Sequence, residues 1–237
     1  MKKFFLLAAF AGSLLPGSAW AVDAGDLVLP IDYPYGARRE LVLETMSRKF
    51  QLGSDASGKS SDVDAGAITV RFNTAAIRNA RVDFDLGALR SGSGDYTALV
   101  GIGLRYPFFD HGPWRIGAFG HARYAPPLSD EIDLPNASGA RVKHDWLEFA
   151  GGALASYRLR IADRTALVAH AGPMLSFLLL DGEISGREEN DGFSAESKQP
   201  IGLAAGLALE FDGVNGVRLE VQAFDALSAS IAAAYVF

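Results

Sequence analysis

The sequence contains no cysteine. A chain without a thiol has no disulfide framework and no cysteine-based zinc site, and it cannot carry the lipidated cysteine of a lipoprotein. Basic residues are also in the minority, since 22 Lys and Arg stand against 28 Asp and Glu. An acidic chain repels phosphate backbones, so nucleic acid is not an expected partner. The four histidines are widely dispersed along the sequence, and we expect neither a metal nor a cofactor.

The amino terminus has the features of a secretion signal. Lysines at positions 2 and 3 precede an apolar run over residues 4–15, which is too short to span a bilayer as a helix, and Ala19-Trp20-Ala21 fits the small-x-small cleavage pattern. We expect residues 1–21 to be removed. Taking 21 residues from 237 leaves 216, which suits one domain, and removing the two leader lysines leaves 20 basic against 28 acidic residues, a net charge of −8.

Hydrophobic residues alternate with a period of two. In the segment 80–86, Val82, Phe84 and Leu86 share one face, and Arg81, Asp83 and Asp85 share the other. A helix would scatter these residues around its circumference, whereas a strand separates them cleanly. This pattern predicts strands, each with one apolar and one polar face.

Ten such runs can be counted, and their connections alternate in length. The runs lie at about 39–52, 68–72, 80–86, 96–106, 114–124, 147–158, 167–179, 201–211, 217–223 and 231–237. The joins at 73–79, 107–113, 160–164 and 212–216 are short, and every long connection (53–64, 125–144 and 181–199) falls on the opposite side. Short turns inside and long loops outside are typical of outer-membrane barrels.

The sequence therefore predicts an all-β fold, a transmembrane antiparallel up-and-down β-barrel. We expect about ten strands, with eight as the alternative count, and both termini in the periplasm. Residues 22–37 form a periplasmic amino-terminal segment, which either stays free or tucks into the lumen, and 38–237 form the barrel. A soluble β-sandwich, or a transmembrane helix over 165–180, is the structural alternative.

Aromatic residues are predicted to mark the two membrane interfaces. One level holds the cluster around Tyr106 and Trp114, and the other holds Tyr96, Tyr124, Trp146 and Phe177. Tyr235 and the final Phe237 resemble the carboxy-terminal signal that the barrel assembly machinery recognises, so that machinery is an expected partner.

The polar faces supply the candidate site, a network of charges in the lumen. Unpaired charge in a narrow barrel would be costly, so we expect opposite signs to meet there. Arg71 lies on this lumen face. The predicted members of the network are Arg81, Asp83, Asp85, Arg105, Arg115, His121, Arg123, Glu148, His170, Glu210, Arg218 and Glu220.

No catalytic residue is predicted. His170 and Ser176 share a face, but six residues at about 3.3 Å each separate them by roughly 20 Å. His144 and Asp145 are adjacent, so their side chains point to opposite faces of a strand. Whether the protein is an enzyme stays open, and the pattern leans against it.

Residues 41–86 resemble the start of an omptin, a ten-stranded outer-membrane protease. The resemblance lies in Leu43-Glu44-Thr45-Met46-Ser47-Arg48-Lys49, in Arg71-Phe72-Asn73-Thr74-Ala75-Ala76-Ile77, and in Asp85-Leu86. It implies a ten-stranded barrel. Omptins carry an Asp-x-Asp pair on the second outer loop and an Asp-x-His pair on the fourth, but here loop 90–95 has one Asp and loop 181–199 has no His. The resemblance therefore does not extend to proteolysis.

The function expected from these features is that of a non-enzymatic barrel in the outer membrane of a Gram-negative bacterium. Its loops would serve adhesion or other interactions with an extracellular ligand, or the barrel would have a structural role in the envelope, surrounded by lipid and lipopolysaccharide. The alternatives are a small porin-like channel for ions or polar solutes, and an omptin-like or lipid-modifying hydrolase.

Overall fold

The computed structural model describes residues 38–52, 60–77, 80–91, 96–134, 137–185, 192–211, 215–224 and 227–236. The predicted signal peptide (1–21), the segment 22–37 and the terminal Phe237 lie outside these ranges. Among the described residues, no helix is long and apolar enough to cross a membrane.

All regular structure in the described ranges is strand. The elements are β1 (Arg38–Leu52), β2 (Ser60–Ile77), β3 (Ala80–Ser91), β4 (Tyr96–His111), β5 (Trp114–Leu134), β6 (Ala137–Ala162), β7 (Thr165–Ser185), β8 (Gly192–Ser197), β9 (Ile201–Phe211), β10 (Asn215–Ala223) and β11 (Leu227–Val236). Because β7 begins at Thr165, the alternative of a transmembrane helix over 165–180 is wrong.

Ten of these strands form a closed antiparallel ring. Each of β1 to β6 pairs with the strand that follows it in the sequence. Within the ring, β7 then pairs with β9, β9 with β10 and β10 with β11. The last strand then returns to the first, with Arg38 opposite Val236 and Thr45 opposite Ala229. Closure leaves no sheet edge, which is the condition for placing strands in hydrocarbon. The predicted ten-stranded barrel is confirmed.

The short strand β8 extends the wall beyond the β10–β11 hairpin. It precedes β9 in the chain and pairs with the upper part of β7, where Leu180 lies opposite Ala195. On its other side it pairs with β1, where Phe50 lies opposite Ser197. The ring is thus closed a second time, at a level that the short β10–β11 hairpin does not reach.

The two ends of the barrel differ. At one end, here called the turn end, β1 begins, β11 finishes, and β4 passes to β5 through Gly112 and Pro113. Gly112 has a φ of 60°, a left-handed conformation that glycine adopts without a steric penalty. At the other end, the hairpin end, β5 and β6 pair as far as Leu134 and Ala137. The periplasmic position predicted for the turn end remains a prediction.

The prediction that 125–144 is a long loop is wrong. Most of that range belongs to the paired ends of β5 and β6, and the predicted loop 181–199 likewise contains the end of β7 and all of β8. Strand pairing continues because ladder hydrogen bonds do not require apolar alternation. The register shifts between Ala125 and Leu128, where Pro126 and Pro127 supply no N–H donor, so the ladder resumes after a bulge.

Alternate residues face outward and inward along the described strands. On the outside, large apolar side chains are exposed, among them Leu86 (59%), Ile102 (52%) and Leu203 (63%). On the same strands as Leu86 and Ile102, the inward-facing residues Asp85 (4%) and Arg105 (5%) are buried. A soluble sheet protein would have the opposite arrangement, with the apolar face inside, so the β-sandwich alternative is wrong. The exterior suits hydrocarbon.

Aromatic side chains lie on this exterior near both ends of the barrel. Trp114 and Tyr157 are cross-strand partners at the turn end, with ring centroids 4.8 Å apart in an edge-to-face arrangement. At the hairpin end, Arg90 lies over the ring of Tyr96, and Tyr124 donates a hydrogen bond to Asp145 Oδ2. Trp146 is an exception: it is 1% exposed and faces the lumen, so its predicted place in the outer aromatic level is wrong.

Closure of the ring can be tested with engineered disulfides, since the chain has no native thiol. We expect Leu41→Cys with Ala233→Cys to cross-link after refolding, because these residues are direct partners and a disulfide needs Cα atoms within about 7 Å. The control is Leu41→Cys with Ile231→Cys, a diagonal pair about 7–8 Å apart. Gel mobility without reductant distinguishes the two, and equal cross-linking would contradict the register.

Candidate functional site

The polar side chains of the lumen come from the inward face of each strand. Of the twelve predicted network residues, nine are buried and Arg81, Arg115 and His121 are half-buried. Their alternation with lipid-facing residues places all of them inside the ring. The structure joins most of them into separate clusters along the lumen.

Asp85 on β3 is the centre of the largest cluster. Arg71 on β2 donates to it through two nitrogens, with Nε 2.7 Å from Oδ1 and Nη2 2.9 Å from Oδ2. Arg123 on β5 reaches Oδ2 at 3.1 Å from Nη2, and His121 Nε2 lies 3.0 Å from the same oxygen. Arg71 lies on the lumen face, as predicted, and the register of the β2–β3 hairpin places it opposite Asp85.

Glycines on β4 make room for this cluster. Gly101 lies between Asp85 and Arg123 in the register. A Cβ at this position would meet Arg123 Cγ at 3.0 Å and Asp85 Cβ at 3.1 Å. Gly103 similarly faces His121 and Asp83. The arginine can therefore cross β4 to reach a carboxylate two strands away.

A second ion pair lies nearer the turn end. Arg105 Nε on β4 is 2.5 Å from Asp83 Oδ2 on β3, and both side chains are nearly inaccessible to solvent. On the opposite wall, His170 Nε2 on β7 lies 2.9 Å from Glu220 Oε2 on β10. Gln222 donates to the other oxygen of Glu220 at 2.7 Å.

The His170–Glu220 pair crosses β9 at a glycine. A Cβ on Gly206 would lie 2.7 Å from His170 Nε2, so any other residue at 206 would displace the imidazole. Both partners of the pair are fully buried. A substrate therefore has no access to the histidine in this arrangement, and Ser176, which donates to Glu148 at 3.3 Å, belongs to another cluster.

Two ion pairs stand at the turn end of the lumen. Arg158 on β6 binds Glu210 on β9, with Nε and Nη2 at 2.8 and 2.7 Å from Oε2. Arg115 at the start of β5 binds Asp110 near the end of β4 at 2.6 Å. Asp110 was not predicted, because the register shift between Pro107 and Phe109 brings it opposite Arg115. Arg81 and Arg218 also face the lumen in this half.

A layer of apolar side chains lies in the lumen toward the hairpin end. Moving outward along β3, Asp85 is followed on the same face by Leu89; along β4, Gly101 is followed by Leu99; along β7, Ser176 is followed by Leu178 and Leu180. The buried members of this apolar layer are Leu89, Leu99, Ala125, Leu128, Trp146, Leu178 and Leu180, each at most 3% exposed. The sequence analysis missed this layer, although all these residues except Leu128, which follows the bulge after Ala125, keep the parity of the lumen face.

His144 and Asp145 do not form a pair. His144 is buried on the lumen side beyond Trp146, whereas Asp145 is on the exterior with Tyr124. Among the described residues, no group of three or more histidines and carboxylates is placed to hold a metal ion. The predicted assembly signal is not tested, since the side chain of Tyr235 and the whole of Phe237 lie outside the described part.

A closed ring of ten strands with an apolar exterior and a polar lumen is the architecture of outer-membrane β-barrels. The outer membrane, the localisation expected from the sequence, agrees with this fold.

Among the comparisons with known proteins, the comparison with solved structures gives matches, and the other two give none. No protein-family model matches the chain, and no curated protein matches it. The outer membrane protease OmpT from Escherichia coli is 10% identical, with a TM-score of 0.48 over 86% of this chain and 98% of that one.

Two further matches are of different kinds. The translocator domain of the autotransporter NalP from Neisseria meningitidis is 12% identical, with a TM-score of 0.46 over 100% of this chain and 97% of that one. An outer membrane channel from Pseudomonas putida F1 is 12% identical, with a TM-score of 0.45 over 92% and 100%. A protease, a translocator and a channel share no single activity, so these likenesses assign none to this chain.

We expect Asp85→Asn to destabilise the barrel strongly. Neutralising the carboxylate leaves Arg71 and Arg123 buried without their main counter-charge, which costs about 3–5 kcal/mol. The matched control is Asp110→Asn, which breaks a more exposed pair with Arg115 and should cost under about 1 kcal/mol. Denaturant unfolding in detergent measures both, and equal losses would show that Asp85 is not the centre of the network.

Proposed function

We propose that this protein is a non-conducting, non-enzymatic barrel of the outer membrane, whose turn end faces the periplasm and whose long hairpins face outward. The apolar layer carries the first part of the proposal. An aqueous pore needs a continuous polar path, and side chains such as Leu99, Trp146 and Leu178 are packed at most 1% exposed across the hairpin end of the lumen. Ten strands leave little free bore once such side chains point inward.

The charged clusters support the same conclusion. In a channel for polar solutes, lumen charges face water and the permeating ion. Here Asp85, Arg71 and Arg123 bind one another at 2.7 to 3.2 Å and are at most 4% exposed. Their hydrogen bonds are directed between strands, so they brace the wall from within.

The outer hairpins carry the second part of the proposal. The β5–β6 pair continues to Leu134 and Ala137, beyond the level of the exterior aromatics Tyr124 and Phe177. Paired strands that continue past this level carry the connection farthest from the turn end, and exposed connections are where binding residues concentrate. We therefore place the contact with an extracellular partner or matrix on this hairpin.

Planar-bilayer recordings test the closed lumen. We expect the refolded protein to show no open-channel steps, and the double variant Trp146→Ala with Leu178→Ala to gain a leak, because it removes two members of the apolar layer. The control is Leu147→Ala with Leu179→Ala, which changes their neighbours on the outer face. Discrete conductance of the unmodified protein would overturn the proposal in favour of a channel.

Shortening the β5–β6 hairpin tests its role. Replacing residues 129–142 by a tight turn should leave a folded barrel, because the ladder from Tyr124–Leu147 down to Trp114–Tyr157 is untouched. Retained heat-modifiable migration on gels would verify folding. We expect loss of the surface-dependent phenotype in a strain that makes the short form, and full correction of every defect of the deletion strain would refute a function for this hairpin.

A further inference from the structure

The wall of the barrel loses two strands between its turn end and its hairpin end. Near the turn end, β1 pairs with β11, and this register ends where Thr45 lies opposite Ala229. Nearer the hairpin end, β1 pairs with β8 instead, beginning where Phe50 lies opposite Ser197. The β10–β11 hairpin ends between these two levels. The ring therefore has ten strands on the turn-end side of this point and eight, β1 to β8, on the hairpin-end side.

A notch in the wall separates the two closures. Residues 46–49 of β1 belong neither to the described register with β11 nor to that with β8. The other sides of the notch are the connection 198–200, which joins β8 to β9, and the last pair of the β10–β11 hairpin, Ala223 with Leu227. The notch is thus four residues of β1 high, which is about 13 Å along the strand.

The notch lies at the level of the membrane interior. From the Ala223–Leu227 pair, the register leads across the sheet through Leu203 on β9 to Pro173 on β7. Phe177, which belongs to the exterior aromatics of the hairpin end, is four residues farther along β7, about 13 Å closer to that end. Leu203 (63%) and Leu227 (65%) are exposed on the outer face. The notch therefore opens toward lipid chains.

An apolar cluster lies on the lumen face inside the notch. Phe119 on β5, Leu154 on β6, Met174 on β7 and Ala204 on β9 pack together, each at most 7% exposed. Phe224, which follows the last residue of β10 at the edge of the notch, packs against this cluster. Phe224 therefore stands between the cluster and the lipid outside.

Polar pairs bound this cluster on both sides along the lumen. On β7, Met174 lies between His170 and Ser176 on the same face. His170 binds Glu220, and Ser176 donates to Glu148. A polar group placed between these pairs would lose its hydration while their members bind one another. The ligand that suits the cluster is therefore an unsubstituted alkyl chain.

The position of Phe224 suits exchange with lipid. It lies beyond the last paired residue of β10, so its side chain can turn outward without breaking the ladder. Its ring lies over Gly202, where a Cβ would overlap the ring. Lipid tails are as apolar as the cluster, so outward rotation exchanges one apolar environment for another. An empty space left behind would forfeit packing contacts, which favours entry of an acyl chain.

We propose that the notch is a lateral binding site for one acyl chain of a surrounding membrane lipid. The chain enters between β1 and the end of the β10–β11 hairpin and takes the place of Phe224 on the cluster. The barrel thus binds lipid within its wall, in addition to any contact made by its outer hairpins. Because the apolar layer lies nearer the hairpin end, an acyl chain in the notch opens no path through the lumen.

Fluorescence quenching by brominated lipid tests the site in the mature chain. In a background with Trp114→Phe and Trp146→Phe, the variant Phe119→Trp places a single tryptophan in the cluster. The protein is refolded into vesicles of phosphatidylcholine with one dibrominated acyl chain, and unbrominated vesicles give the reference signal. Bromine quenches indole at short range. We expect Phe119→Trp to be quenched several-fold more than Leu99→Trp, which lies in the lumen within the apolar layer.

Changing Phe224 tests the exchange itself. Phe224→Ala should raise the quenching of the Phe119→Trp protein several-fold, toward that of Leu207→Trp on the outer face, because the acyl chain no longer competes with the phenyl ring. The matched control is Leu227→Ala, an exposed residue at the same level, which should leave the quenching unchanged.

Three results would overturn the proposal. They are quenching of Phe119→Trp no greater than that of Leu99→Trp, unchanged quenching after Phe224→Ala, and an equal rise after Leu227→Ala. If Phe119→Trp does not refold, Met174→Trp places the fluorophore in the same cluster, since a flexible methionine position tolerates substitution.

Discussion

Every N–H and C=O group that enters hydrocarbon must find a partner within the protein, and the pairing of β1 with β11 completes that requirement. An open ten-stranded sheet would expose two edges of unpaired backbone groups to lipid. Once the ring closes, the period of two assigns each side chain to lipid or lumen without intermediate positions. The exposed Ile102 and the buried Arg105 are three residues apart on one strand and illustrate this division.

Enclosure dictates how the lumen is filled. Charged side chains cannot reach bulk water from the middle of a narrow ring, so they bind across strands, as Arg123 does when it passes Gly101 to reach Asp85. Toward the hairpin end the buried side chains are mainly apolar instead, as at Leu99, Trp146 and Leu178. This filling leaves no continuous polar path through the described part of the apolar layer, and that supports the proposal that other molecules are bound by the projecting hairpins.

Much of this could be predicted from alternation alone, because alternation is a local property. The faces of Phe84 and Asp85, and the count of ten strands, follow from it. The ion pairs depend on register and on bulges, which is why Asp110 was missed and why Arg71 and Arg123 could not be matched with Asp85 in advance. Trp146 was misplaced because aromatic type was weighed above parity: it shares the parity of Glu148, not of Leu147. The extent of β5 and β6 was missed since strands outside a membrane need no apolar face.

Different interactions hold the two ends of the lumen together: apolar packing at the hairpin end and ion pairs at the turn end. At the hairpin end, short branched and aromatic side chains lock together, and opening them exposes apolar area to water. At the turn end, long arginine side chains bind carboxylates on other strands, as Arg158 binds the buried Glu210. The ion pairs of the turn end and the apolar layer share no described contact. A change in the charges of the turn end therefore does not by itself disturb the packing of the apolar layer.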